Sequence, residues 1–226
     1  MSTCAVLFAK EPTPRAVKTR LQSHLSASEA ARLYEALLLD CATALHATQA
    51  AAKVVAFTPA HAEDALRTLL APIGVFEYVP QPEGDLGQRM EGLMQWAFAR
   101  GAERVVLVGS DSPSLPTAYI DEGLELLREK EVVLGPSTDG GYYLVGRRKG
   151  ESRIFQDVNW STGMVLEQTL GRLGQQTLGL LPPWYDVDTP ADAGFLKVHL
   201  EALARAGNTQ GQHSLAVLRD LELPLP

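Results

Sequence analysis

Apolar positions change their period along this chain. Short β-branched runs at Ala5 to Ala9, Val54 to Thr58, Val75 to Val79, Val105 to Gly109 and Val132 to Gly135 predict strands, and the stretches between them show helical recurrence. This alternation is the pattern of strands joined by crossover helices in a mostly parallel sheet with helices on both faces. Ser26 and Glu29 stand at capping-box spacing ahead of Leu33, Leu37, Cys41 and Leu45, so a helix is expected to lay that stripe on the sheet. A second helix is predicted from about Leu86 to Arg100, closed by Gly101, and a third after the Ser114-Leu115-Pro116 turn. Each strand thereby has its own return path.

Beyond Gly135 the rhythm shifts. The turn Asp139-Gly140-Gly141 precedes Tyr142 to Val145, which predicts a small antiparallel insertion. A helix from about Thr162 to Leu173 and a strand near Thr177 to Leu181 follow. A last helix starts at Thr189, with Pro190 at N1 and Asp192 at N3. The tail after Ala206 predicts a flexible link and a short docked segment, Leu215 to Leu223. With no composition break inside the chain, the expectation is one α/β domain over residues 1–205 carrying a docked tail, 206–226.

Composition narrows the chemistry. At 226 residues, 46% hydrophobic and 21% charged, the chain is long enough to bury a sizeable core in one domain. Twenty Lys and Arg against 27 Asp and Glu leave a formal charge of −7, which opposes a nucleic acid or anionic membrane as partner. The opening apolar run meets Lys10 after Ala9, too short for a signal core or a spanning helix, so a cytoplasmic location is expected. Cys4 and Cys41 fit no zinc spacing and are expected as buried, inert thiols. The five histidines lack metal-site spacing, and no nucleophile elbow, P-loop or dinucleotide-binding glycine run is present.

In open α/β sheets ligands bind outside the carboxyl ends of the strands, so the loops there carry functional weight. Lys10, Arg15, Lys18 and Arg20 crowd the first such loop of an otherwise acidic chain. That density suggests a phosphate clamp, although a solvated basic loop has the same composition. Asp111 in GSDSPSLP follows directly on an apolar strand; it suits a hard divalent cation completed by water and substrate phosphates, or shapes a turn. Asp186 and Asp188 stand two residues apart ahead of a helix start, and only one is expected to face the site. Asp188 is the choice for the second carboxylate, with helix capping at Thr189 as the alternative. Asp139 ahead of Gly140 and Gly141 permits either close approach to a ligand or a tight turn. Arg89 lies on the first turn of a helix whose N-terminus can receive phosphate. Asn159 and Trp160 offer a flat surface for a sugar or base, or for packing.

Taken in order, FAKEPTPRAVKTRL, GDLGQRM, GSDSPSLP, PSTDGGYYLVG, DVNWST and YDVDTP resemble the arsenosugar-biosynthesis-type, or selenodomain-associated, transferases of the GT-A glycosyltransferase superfamily. At fold level that family is related to molybdenum-cofactor, phospholactate and sugar nucleotidyltransferases. The resemblance spans about Thr3 to Leu203. It implies a nucleotide-diphospho-sugar transferase fold in which Lys10, Lys18 and Arg20 touch nucleotide phosphates and Asp111 holds Mg²⁺ or Mn²⁺ with Asp188 opposite. Lys18 and Asp139 would act at the reacting centre. Arg89 is assigned to phosphate, and Gly140, Gly141, Tyr142, Asn159 and Trp160 to the acceptor pocket. The implied activity is metal-dependent transfer of a glycosyl group from a nucleotide-sugar to a small acceptor. Asp111 stands in Ser-Asp-Ser, without the paired Asp-x-Asp of many GT-A glycosyltransferases. A single Asp there is shared with nucleotidyltransferases, so nucleotidyl transfer from a nucleoside triphosphate is the alternative. Non-catalytic nucleotide binding is the third reading.

Overall fold

The computed structural model describes residues 2–224. Seven strands form one sheet: β1 (Thr3–Lys10), β2 (Ala52–Thr58), β3 (Glu77–Pro80), β4 (Arg104–Val108), β5 (Val132–Pro136), β6 (Tyr142–Arg148) and β7 (Leu178–Leu180). Their order across the sheet is β3-β2-β1-β4-β6-β5-β7. Pairing is parallel except where β6 runs antiparallel to both β4 and β5, so the expected insertion is a single reversed strand, longer than its aromatic start suggested. Among the described residues α1 (Ala27–His46), α2 (Glu63–Leu70), α3 (Leu86–Ala99), α4 (Thr117–Leu126) and α5 (Val165–Gly171) connect strands, and α6 (Pro190–Arg205) and α7 (Gln212–Arg219) follow β7.

Alternating strand residues separate two cores. Leu7, Val55, Phe57, Val106, Val108 and Val133 pack with α1, α2 and α4 on one face, while Val6, Val54, Leu107, Val132 and Leu134 pack with α3 on the other. A third cluster lies outside α1, where Leu33 and Leu37 meet Leu196 and Leu200 of α6 and Leu215 and Leu218 of α7. This corrects the expected stripe. Leu38, Cys41 and Leu45 face the sheet, whereas Leu33 and Leu37 face the outer helices, because α6 and α7 cover the opposite side of α1.

The tail docks as expected, with Leu215, Leu218 and Leu221 buried, and its docked part is a helix. α7 begins at Gln212, ahead of the expected segment, and packs on α1 and α6, with buried Asp40 accepting from His213 N (3.1 Å), Ser214 N (2.7 Å) and the Ser214 hydroxyl (2.5 Å). An α1 carboxylate thus satisfies the orphan amides at the start of α7. Three other helix starts hold full capping boxes, Ser26/Glu29, Asp85/Gln88 and Thr189/Asp192, each contributing about 1 kcal/mol. Two boundaries also move. β3 begins at Glu77, where β2 first offers a partner at Val54, and leaves Val75 exposed. α5 begins only at Val165 because Ser161 takes a left-handed conformation, φ 63°.

Candidate active site

The carboxyl ends of β1, β4 and β5 open on a cavity of about 750 Å³, within the usual size range of small-molecule sites. The loop after β1 brings Lys10, Lys18 and Arg20 to its wall, the loop after β4 brings Asp111, and the segment leading into α6 brings Asp186 and Asp188. Gly84, Asp85 and Arg89 of the α3 start close one side, and Asp139, Gly141, Tyr142 and Trp160 close the other.

At the centre, Lys18 joins the basic and acidic loops. Its Nζ lies 2.6 Å from Asp111 Oδ1 and 2.9 Å from Asp188 Oδ1, and donates to the Val187 carbonyl at 2.5 Å. Three N–H donors thereby meet three oxygens. Burial alone would lower the Lys18 value, but the Asp111 and Asp188 charges outweigh it and hold the ammonium above its ordinary range. The residue sits in the left-handed region at φ 47°, ψ 44°, ahead of a short 3-10 turn, Thr19–Ser23. Arg20 reaches the other Asp188 oxygen at 3.4 Å.

Asp186 is a finding against expectation. Both Asp186 and Asp188 line the cavity, because Val187 alone points into the core between them, fully buried. Asp186 accepts from Ser112 Oγ and Ser137 Oγ, each at 2.5 Å, and so ties the ends of β4 and β5 to the segment before α6. Burial raises its carboxyl above the ordinary range, and the two serine bonds pull it partly back. The backbone adds a further tie, Val187 N donating to Asp111 O at 2.9 Å.

Tyr34 is a second cavity residue that spacing left unmarked. Its phenol, buried in α1, receives Lys10 N at 2.9 Å and lies 2.8 Å from Ser110 Oγ, beside Asp111. Burial first, and then the Asp111 charge, push its value up to about 12, so it is neutral at physiological pH. Only a pattern linking one helix face to two strand ends would have exposed it, and apolar periodicity carries no such signal.

The remaining expectations divide. Asp139 Oδ1 accepts from Gly141 N at 2.9 Å in a tight turn, and both residues border the cavity. Gly140 and Asn159 lie off the cavity wall, Asn159 N being bound to Gln168 Oε1 at 2.7 Å. Gly140, at φ 91°, leaves no room for a β-carbon against the Gly163 carbonyl. Trp160 borders the cavity yet packs on α3, where a β-carbon on Gly87 would meet its Cζ2 at 2.6 Å. Arg89 Nε donates to Gly84 O at 2.9 Å, and the half-buried side chain borders the cavity. Cys4 and Cys41 are buried and free, with burial raising both thiols, so neither is a nucleophile.

Asp111 and Asp188 are hard oxygen donors whose side chains are 42% and 38% exposed, so each keeps surface toward the cavity. Among the described residues no group of three or more His, Cys, Asp or Glu side chains is arranged to hold an ion. Two carboxylates with water and substrate phosphates suit Mg²⁺ or Mn²⁺, and the residues fit a cation that arrives with a phosphate ligand. No helix among the described residues is long and apolar enough to cross a membrane.

The sheet order and the cavity at its carboxyl edge define the nucleotide-diphospho-sugar transferase fold. The chain belongs to the family described as an uncharacterized protein conserved in bacteria (DUF2064), whose pattern matches residues 38–162. Membership carries the fold expected from the resemblance and does not reach its arsenosugar-specific part. A solved structure from Desulfovibrio desulfuricans, provisionally assigned as a nucleotide-diphospho-sugar transferase, superposes with a TM-score of 0.88 at 32% identity, over 97% of this chain and 95% of that one. The 2-phospho-L-lactate guanylyltransferase of Methanothermobacter thermautotrophicus is 27% identical over 225 residues, 98% of this chain and 92% of that protein. The 3-phospho-D-glycerate guanylyltransferase of Phenylobacterium zucineum is 34% identical over 136 residues, 59% of this chain and 62% of that protein.

Proposed function

We propose that the protein is a divalent-metal-dependent nucleotidyltransferase that joins a nucleoside triphosphate to a small phosphorylated acid and releases pyrophosphate. The observation that carries this reading is the meeting of Lys18 with Asp111 and Asp188 in a cavity whose other cations are Lys10, Arg20 and Arg89. The two guanylyltransferases support it over the glycosyl transfer that the resemblance put first. Both are named for a phosphate ester of a three-carbon acid, and one aligns along nearly the whole chain. On that basis guanosine triphosphate is the proposed donor and a phosphorylated hydroxy acid the proposed acceptor.

An oxygen of the acceptor phosphate attacks the α-phosphorus. The new P–O bond forms as the α–β bridging bond breaks, and pyrophosphate leaves with the electron pair. The acceptor dianion has no proton to lose, so no general base is required. Lys18, Lys10 and Arg20 offset the charge on the leaving phosphates, with Arg89 at the phosphate-facing start of α3. Asp111 and Asp188 would hold the metal, which supplies Lewis-acid polarisation of the phosphoryl oxygens. Asp139, Gly141, Tyr142 and Trp160 form the acceptor wall, and Asp139 orients the Gly141 amide there. Asp186 acts by positioning, since its serine bonds hold Asp111 and Asp139 in place.

Glycosyl transfer keeps one specific support, the provisional assignment of the Desulfovibrio structure. Incubation with the four nucleoside triphosphates plus 2-phospholactate or 3-phosphoglycerate, scored for pyrophosphate, tests the proposal. A parallel set with nucleotide-sugars is scored for free nucleoside diphosphate. Pyrophosphate release dependent on the acid supports nucleotidyl transfer; diphosphate release alone replaces it with glycosyl transfer.

A further inference from the structure

The carboxylates assigned to the metal already hold a cation of the chain's own. Lys18 Nζ sits between Asp111 Oδ1 and Asp188 Oδ1, and its third donor is committed to the Val187 carbonyl. Its side chain is only 5% exposed, against 42% for Asp111, so the ammonium lies beneath the carboxylates and away from water. Arg20 takes the second oxygen of Asp188. At the pair itself the two negative charges each touch a positive one, and a divalent ion approaching alone finds the ammonium in its way.

A nucleotide changes that balance. Its phosphates bring negative charge beside Asp111 and offer Lys18 oxygens to replace those it leaves. The backbone at Lys18, in a left-handed conformation that a residue with a β-carbon adopts only at a cost, marks a side chain held in place by its ion pairs.

We propose that Lys18 is a built-in counter-ion that closes the Asp111–Asp188 pair to free divalent cations, so that the ion is admitted only together with a nucleotide whose phosphates draw the ammonium away. The inference rests on the proposed placement of the ion at these two carboxylates. It does not depend on which transfer reaction follows.

Mn²⁺ binding to the full chain, followed by enhancement of water-proton relaxation, tests it without turnover. Wild-type protein with Mn²⁺ alone is expected to show no enhancement. Adding GTP or another nucleotide is expected to raise relaxation above that of the same Mn²⁺–nucleotide mixture without protein. Lys18→Met is expected to bind Mn²⁺ without nucleotide, at least about tenfold more tightly than wild type. Lys18→Met combined with Asp111→Asn is expected to lose that gain. Lys18→Gln, which keeps a donor between the carboxylates but no charge, gives the same comparison where Lys18→Met does not fold.

Wild-type protein that takes up Mn²⁺ alone as tightly as the variants overturns the proposal, and this arm needs no variant. Folded Lys18→Met or Lys18→Gln without the gain overturns it too, as does wild type that takes up no Mn²⁺ with any nucleotide. Absence of pyrophosphate release from a chain showing the expected Mn²⁺ pattern rejects nucleotidyl transfer and leaves the counter-ion standing.

Discussion

The Tyr34 phenol lies 2.8 Å from the Ser110 hydroxyl, joining the middle of α1 to the loop that carries Asp111. The same oxygen receives Lys10 N, so one buried group aligns the ends of β1 and β4. Tyr34→Phe keeps the ring and removes both bonds. It is expected to lower stability by about 1 to 3 kcal/mol, because Lys10 N–H and Ser110 lose a buried partner. Urea unfolding measures the loss; an unchanged midpoint would mean that water replaces the phenol.

Asp111→Asn should separate folding from turnover. Lys18 keeps Asp188 and the Val187 carbonyl as partners, so the melting temperature is expected to stay within a few degrees of wild type. Turnover is expected to fall about 10² to 10³-fold, the usual effect of losing one preorganised electrostatic contact. Pyrophosphate release beside circular dichroism checks both halves. Full activity would remove Asp111 from the site.

Asp40 gives a pH dependence of known sign. Burial holds its carboxyl above the ordinary value of 3.8, against the opposing pull of Ser214 and His213. The folded chain therefore binds this proton more readily than the unfolded one. The contribution is fully present below 3.8 and is lost as pH rises through the raised folded value. Relative to Asp40→Asn, wild-type stability should rise as pH falls from 7 toward 4, measured by chemical denaturation across that window. Asp40→Ala should cost about 1 to 3 kcal/mol at every pH by leaving the start of α7 uncapped.

Gly140→Ala meets two obstacles, φ 91° and the Gly163 carbonyl. The expected result is displacement of the segment around Trp160, seen as faster amide exchange over residues 155–164 while the sheet stays protected. Unchanged exchange there would show that the turn yields without moving its neighbour.

Ligand binding should stabilise the chain measurably. A nucleotide at 100 times its Kd adds about 2.7 kcal/mol, and about 2 to 4 °C per kcal/mol makes that roughly 5 to 11 °C. The shift is expected for a nucleoside triphosphate with Mg²⁺ and to be small for Mg²⁺ alone. A thermal-shift panel of nucleotides and nucleotide-sugars distinguishes the donors.

Much of the architecture was legible because it depends on local rules. β-branched runs gave the strands of a layered sheet, the Ser26/Glu29 and Thr189/Asp192 boxes marked helix starts, and Asp139-Gly140-Gly141 announced the reversed β6. What escaped lacked a local signature. α2 buries only Leu66 and Leu70 in eight residues, too few to establish a period. α7 is polar at its start and is held by Asp40, more than 170 positions earlier in the chain.

At the site, residue type and loop position pointed to Lys10, Lys18, Arg20, Asp111 and Asp188, which line the cavity, and equally to Arg15, which does not, since charge at the end of an apolar strand is visible without coordinates. The expectation that only one of Asp186 and Asp188 faces the site misapplies strand alternation. Residues two apart on an extended segment share a face, and here Asp186 and Asp188 line the cavity while Val187 between them turns into the core. Whether Lys18 meets Asp111 or points to solvent depends on packing between segments 93 residues apart, and no local propensity encodes that distance. Charge and periodicity along the chain therefore settled the fold class and the chemical character of the loops. Tertiary structure decided which opposite charges touch, because ion pairing depends on separation in space.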